Sequence, residues 1–409
     1  MKAMVGRKIQ FFGFALLVFF VPLIFSNLTF EAFEFPKMSL VYLLGGFLIA
    51  LFWASYIFAP TRLKRPPWVV SLFVLSYVVS SLFSHASVWG YYGRFNDGLA
   101  SILVFFGLYF VALNTFSKRE LVDLLKFGIL SFFLVSVYGI CQSFSGIDRV
   151  YSSLGQPNWL AQYLSLFLPL VLYLYLFKKP AWLAWLGGAS FFLGFWCLWL
   201  TFSLSGMLGF AISSVIFLAL FARKFNGTHF LKLAGLLACS LLVVIFNLDL
   251  FGSKVHDTLL DSSELLGEGK AVRTSEDLHR VSDPGAIRLG VWKGATSLIL
   301  SSPKVFFLGT GPETFPYVFQ KYRPASLNYS SEWDYVVNKP HNYFLEVFAE
   351  TGLFSLVFYL GILAHLFRSK EEIIFPSLGA FVVTSFFGWP VVATSLLFWG
   401  ILAYVDAKD

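Results

Sequence analysis

The sequence predicts an all-α integral membrane protein of about twelve transmembrane helices, with one long extracytoplasmic loop containing short helices. Three observations predict it. Hydrophobic residues make up 57% of the 409 and charged residues only 13%, where a soluble domain has roughly 25% charged. Apolar runs long enough to cross the roughly 30 Å hydrocarbon core as helices recur along the chain. One polar interruption, from Phe251 to Pro340, breaks the alternation of run and short connection.

The runs are bounded as follows. Nine precede the interruption: Phe11 to Leu28, Met38 to Ala59, Trp68 to Phe83, Gly98 to Phe116, Leu124 to Phe144, Trp159 to Phe177, Ala181 to Phe202, Leu204 to Phe221 and Phe230 to Leu248. Three follow it: Asn342 to Phe367, Ile373 to Phe387 and Val391 to Val405. The turn at Ser203 to Ser205 separates the seventh run from the eighth, and Gly388-Trp389-Pro390 divides a stretch too long for one crossing. The first run follows Lys2, Arg7 and Lys8, but it lacks an A-x-A-like cleavage site and exceeds a signal peptide's apolar core, so a retained helix is expected. Cys141, Cys197 and Cys239 all lie in apolar runs, which argues against a disulfide framework or a zinc site. With no internal repeat and no second hydrophilic region, residues 1–409 read as a single polytopic membrane domain, with 251–340 as the long loop within it.

Cations orient the chain, because Lys and Arg of short loops stay on the cytoplasmic side. They fall in every alternate connection: Lys2, Arg7 and Lys8; Arg62, Lys64 and Arg65; Lys118 and Arg119; Lys178 and Lys179; Arg223 and Lys224; Arg368 and Lys370. The intervening short loops hold only Lys37, Arg94 and Arg149. Both termini are therefore expected in the cytoplasm, and the long loop outside the cytoplasmic membrane. The net charge of +7 is thereby a topology signal, and no basic patch in a soluble module suggests a nucleic-acid partner.

Long loops without obvious structure are usually functional. Asp283-Pro284 reads as an N-cap with proline at the first helical position. Ile287, Val291 and Leu298 then recur at helical spacing until Ser301-Ser302-Pro303. This helix is too short and polar to span; it is expected along the outer membrane face or over the bundle, with Arg288 and Trp292 one turn apart on one side. Gly309-Thr310-Gly311 is read first as a structural turn, and second as a place where backbone amides approach an anion. At Pro340-His341-Asn342 the tenth run begins, and Asn342, Glu346 and Glu350 follow at intervals of four along one face. Carboxylates are costly inside a membrane, so both glutamates are expected to point into the bundle or a wet cavity. Glu346 carries two readings, a substrate-binding function through the orientation of its helix and structural pairing; for Glu350 the structural reading is preferred. His341 is either an outward-facing imidazole available for proton transfer or a helix-end residue. Arg94 and Asn158 complete the outward-facing inventory, the first with a snorkelling alternative and the second with a capping one. His85, His256 and His279 show no metal-ligand spacing, so neither a metal nor another cofactor is expected.

Arg288 with Trp292, Gly309-x-Gly311, Phe315, His341-Asn342-x-x-Leu345-Glu346 and Glu350-Thr351-Gly352 together resemble the loop-and-helix signature of the O-antigen ligase and O-antigen polymerase superfamily. Pro157-Asn158-x-x-Ala161 resembles a second feature of it. The resemblance implies a glycosyltransferase that moves a glycan from a polyprenyl diphosphate carrier to a glycan, lipid or protein acceptor on the outer face of the membrane. It sets the histidine near the acceptor hydroxyl and arginines on the diphosphate. One position departs: Leu204 stands where relatives often carry an arginine, which leaves the diphosphate to Arg94 and Arg288, helped by Lys321 or Arg323.

The chemistry is coherent independently of the resemblance. Displacing a diphosphate from an anomeric carbon builds negative charge that arginine neutralises bidentately, while histidine suits removal of the acceptor's proton. No Asp-x-Asp motif occurs, so a metal-independent, inverting displacement is expected. A transporter or flippase for lipid-linked saccharides would also need many helices, but should show repeated halves and leaves the loop unexplained. A glycan polymerase of a different membrane family would place a loop carboxylate such as Asp257, Asp261 or Glu264 at its centre; a catalytically inactive family member is the third alternative, and within the superfamily an O-antigen-type polymerase shares the signature with a ligase.

Overall fold

The computed structural model describes residues 2–84, 98–178, 181–247, 284–329 and 333–407. All regular structure among them is helical. Before the long loop lie α1 (Lys2–Phe20), α2 (Glu34–Phe58), α3 (Trp68–Leu82), α4 (Leu99–Thr115), α5 (Lys118–Phe144), α6 (Pro157–Phe177), α7 (Ala181–Leu200), α8 (Leu204–Phe221) and α9 (Gly227–Phe246). Within it are α10 (Pro284–Ile299), α11 (Pro303–Leu308) and α12 (Phe315–Val318), and after it α13 (Tyr343–Phe367), α14 (Phe375–Phe386) and α15 (Val392–Asp406).

Every apolar run thus contains a helix, but the helices are not equal. Seven are long and apolar enough to cross a membrane: α2, α5, α6, α7, α8, α9 and α13. Helices α3, α4, α14 and α15 are apolar but shorter. Among the described residues the structure is therefore all-helical with seven full-length candidate spans, coarser than the twelve crossings expected.

Local chemistry sets the helix ends. α1 stops at Phe20, two residues before Pro22, whose ring disfavours helical backbone in the preceding residue. α5 begins at Lys118, ahead of its apolar run, because Ser117 and Glu120 form a reciprocal capping box. α6 begins with Pro157, whose missing N–H is harmless at the first helical position. α2 carries a π-helical turn at Val41–Gly45.

Two apolar cores follow. The large one is centred on α6, 78% of whose most apolar window is buried, packed against α7, α8 and α14. The smaller gathers Ile287, Val291 and Leu298 of α10 with Phe315, Phe319 and Leu327, and is completed by Ala349 of α13. The face of α10 read from helical spacing is therefore the buried one, and the helix packs over α13 rather than lying free.

Helix α13 is broken at Gly352 (φ 81°, ψ 178°), which admits the turn after α11. Gly309 (φ 75°) lies against the break so closely that a Cβ there would fall 2.1 Å from the Glu350 carbonyl oxygen. Reciprocally, a Cβ on Gly352 would fall 2.2 Å from the Phe307 carbonyl oxygen. Both positions need glycine twice over, for positive φ and for approach of bare backbone.

Candidate functional site

The interlocked turn is held by a carboxylate. Thr310 and Gly311 donate their N–H groups to the carbonyls of Ala349 (3.1 Å) and Glu350 (2.8 Å). The Glu350 side chain accepts the backbone N–H groups of Glu313 (2.7 Å) and Phe315 (2.9 Å). Ser80 of α3 donates to the Glu350 carbonyl (3.0 Å), so three segments meet at one residue. This geometry is the structural pairing preferred for Glu350, and Gly309-Thr310-Gly311 forms a structural turn.

Next to it lies a buried ionic cluster. The Lys339 ammonium, 6% exposed, pairs with Glu346 in a close contact and with Glu313 at 3.3 Å. It also lies 5.9 Å from the Trp389 ring centroid. Glu346 is thus engaged by a lysine. Asn342 caps α13, its side-chain oxygen accepting the Leu345 N–H at 3.1 Å.

Between Lys339 and Asn342 the chain lifts His341 into left-handed backbone (φ 53°), unusual without a glycine and often found at functional sites. Its ring packs edge-on against Trp389, centroids 5.1 Å apart. Burial first, and then the positive charge of Arg288, push its pKa down from 6.5 to about 4. The imidazole is therefore neutral at neutral pH and able to accept a proton. Arg288 comes from α10, whose Trp292 indole donates to the Pro340 carbonyl (2.9 Å) and so ties that helix to the backbone beside His341.

His341 and Trp389 line a small pocket with Gln156, Asn158, Gln162 and Ser205. Asn158 accepts the Ser203 hydroxyl (2.8 Å), while Thr394 donates to Gln162 (3.0 Å). Two buried polar atoms of the lining residues, Gln156 Oε1 and Trp159 Nε1, have no hydrogen-bond partner among the described residues. Buried polar atoms are ordinarily satisfied, so these two are free to meet a polar partner in the pocket.

His341 and Asn158 line this pocket together, and Arg288 lies close enough to His341 for its charge to act on the ring, whereas Asn342 caps α13 and Glu346 is paired with Lys339, and neither lines the pocket. Lys321 and Arg323 do not line the pocket: Lys321 is exposed, and Arg323 donates to the carbonyls of Tyr335 (2.8 Å) and Trp333 (3.2 Å), fastening their loop. Arg94 lies outside the described residues, as do His85, His256, His279 and residues 251–283. Leu204 is 47% exposed at the start of α8. At the same turn, Arg149 reaches over from the α5–α6 loop and donates Nε–H to the Thr201 carbonyl (3.1 Å).

Sequence reasoning missed Lys339, Glu313, Gln162 and Arg149. A lysine two residues before the candidate histidine was a signal for the first; for the others no local pattern pointed to the pocket.

Residues 189–360 match the O-antigen ligase family, which bears out the resemblance over that stretch. The matched stretch runs from α7 into α13 and includes Arg288, His341, Glu346 and the Gly309–Gly352 interlock; Arg149 and Asn158 precede it. No curated protein matches the chain.

Proposed function

We propose that this chain, a membrane protein with an O-antigen ligase domain at residues 189–360, transfers a glycan from a polyprenyl diphosphate carrier to an acceptor hydroxyl on the outer face of the cytoplasmic membrane. The observation that carries this reading is the placement of His341 on a pocket with two unsatisfied polar atoms, with the Arg288 charge beside it and burial holding its pKa down.

His341 takes the acceptor hydroxyl's proton as that oxygen bonds to the anomeric carbon. The bond from that carbon to the diphosphate oxygen breaks on the opposite side, inverting the centre. Arg288 receives the charge developing on the departing diphosphate through paired N–H donors, where such stabilisation is strongest in a dry site. A bound diphosphate also offsets the Arg288 charge that helps to hold His341 low, so donor binding raises the proton affinity of the base it needs. Arg149, anchored through Nε to the Thr201 carbonyl, brings a cation to the turn where Leu204 supplies none. Side-chain cations thus take the place of a metal ion.

The test uses purified protein, a polyprenyl-diphosphate glycan and separate acceptors. His341→Ala should lower specific activity by roughly 10² to 10⁴, the range for general acid–base catalysis, with donor binding nearly intact. Arg288→Lys should impair both donor binding and turnover, because an ammonium lacks the planar fork. A ladder of products indicates polymerisation, and a single addition ligation. Normal specific activity in His341→Ala removes the mechanism, and activity lost to a chelator and restored by magnesium or manganese removes its metal independence.

A further inference from the structure

We propose that the cavity whose mouth lies at the end of the bundle remote from His341 binds one anionic phospholipid, its acyl chain in the shaft and its phosphate at Lys178 and Lys370. The cavity measures about 450 Å³, within the roughly 300–1,000 Å³ of small-molecule sites. Its position follows from two helices. α6 and α13 begin beside the His341 pocket, and the residues just past their far ends, Lys178 and Lys370, line the cavity mouth. Along α6 the lining extends from Tyr163 to Lys178, a depth of about 22 Å at the helical rise. The walls between are apolar, formed by side chains such as Phe167, Leu170 and Leu396.

The mouth has an uncompensated positive charge. Glu371 is taken by Lys118 (2.6 Å) and by the Tyr404 hydroxyl (2.8 Å), and Glu372 lies 3.7 Å from Lys224. Lys178 and Lys370 have no carboxylate within ion-pair distance among the described residues, and the Lys178 ammonium lies 5.9 Å from the centroid of the Tyr173 ring, itself a wall of the cavity. The preference for basic loops on one side of a membrane explains lysines at this end. It does not explain why two from loops far apart in sequence converge on the rim of one apolar shaft. An acyl chain bearing a net negative phosphate fits both features. The hydrocarbon tail of a donor whose diphosphate sat at Arg288 would fill the shaft but leave the lysines unmatched.

Entry is from the side. Gly400 of α15 lines the cavity, is exposed, and a Cβ built there meets nothing within 4 Å, so the wall is open at that point. The same opening allows a filling substitution, Gly400→Trp, that displaces no neighbouring atom at its Cβ.

Native mass spectrometry of the detergent-purified chain, incubated with phosphatidylglycerol or phosphatidylcholine of identical acyl chains, tests the proposal. Wild type should retain one phosphatidylglycerol in preference to phosphatidylcholine. Lys178→Ala with Lys370→Ala should weaken that retention roughly thirtyfold, the loss expected for two lysines at a lipid phosphate. Gly400→Trp, with both lysines present, should abolish it while melting at the wild-type temperature in lipid-free detergent. Equal retention of the two lipids by wild type overturns the proposal, as does undiminished retention by Gly400→Trp, which would mean surface association with the lysines alone. Displacement of phosphatidylglycerol by a polyprenyl monophosphate that the lysine variant still retains assigns the shaft to the carrier and also overturns it. None of these outcomes depends on His341 or Arg288.

Discussion

With His341 as the proposed base, the free protein should lose kcat/KM for the proposed glycan transfer on the acid side with an apparent pKa of about 4, because a protonated imidazole cannot accept the acceptor's proton. Each pKa unit corresponds to about 1.36 kcal/mol, so the fall from 6.5 to about 4 is a preference of roughly 3 kcal/mol for the neutral ring. Burial is the larger cause and the Arg288 charge the smaller. Arg288→Gln removes the smaller one, and the acid limb should move upward without reaching 6.5, since the ring remains enclosed by Trp389 and the pocket. Arg288→Lys keeps the charge and should leave the limb in place even as donor KM rises. A stability consequence accompanies this. A histidine with a lowered folded pKa binds fewer protons folded than unfolded between about 4 and 6.5, so stability is highest above that window and declines as pH falls through it. The decline should reach up to roughly 3 kcal/mol and should vanish in His341→Gln. The assay is kcat/KM against pH for the wild type and both Arg288 variants, with melting temperature measured alongside. A wild-type limb at 6.5 or higher, or one that Arg288→Gln does not move, refutes the account.

Three further outcomes are expected. Lys339→Met strands two buried carboxylates and should destabilise the protein by about 3–5 kcal/mol, read as a melting shift, whereas Lys339→Met combined with Glu313→Gln and Glu346→Gln should recover much of the loss. Gly352→Ala and Gly309→Ala should each destabilise through a disfavoured positive φ, about 1–2 kcal/mol, and through backbone overlap, about 1–3 kcal/mol more, measured by thermal unfolding in detergent. In a background lacking Cys141, Cys197 and Cys239, a membrane-impermeant thiol reagent applied to intact cells should label Ser275→Cys and spare Ser117→Cys and Ser369→Cys; the reverse pattern overturns the orientation.

Much of the helical framework was legible because membrane-length apolar runs and the 3.6-residue period are local properties. Ile287, Val291 and Leu298 show this well: their spacing marked a helix with one apolar side, and that side is the buried one. Crossing number was less legible, since helix length follows from caps and prolines as well as hydropathy, as α5 shows by starting at its Ser117 box. At the site, Arg288 and His341 were legible by chemical type, each a rare polar group beside an apolar segment. Lys339, Glu313 and Glu346 were not legible as a cluster, because their pairing depends on the turn after α11 docking on α13. Arg149 was hidden for the same reason: its Thr201 partner belongs to another loop.

The residues that carry the family resemblance divide by task. Gly309 and Gly352 interlock two backbones, Glu350 grips the amides of Glu313 and Phe315, and Asn342 caps α13. Each of these roles is structural. Together they fix the segment from Lys339 to Asn342, where His341 is held at a φ an ordinary residue avoids. Strain of that kind persists only where the surroundings over-determine it. The supports on every side of His341, with Lys339 clamped to two carboxylates before it and the cap after it, are that over-determination. Trp292 extends it to Arg288 by tying α10 to Pro340. His341 and Arg288 are thus set by one assembly built from three separate segments, and the proposed proton transfer would require positioning of that kind.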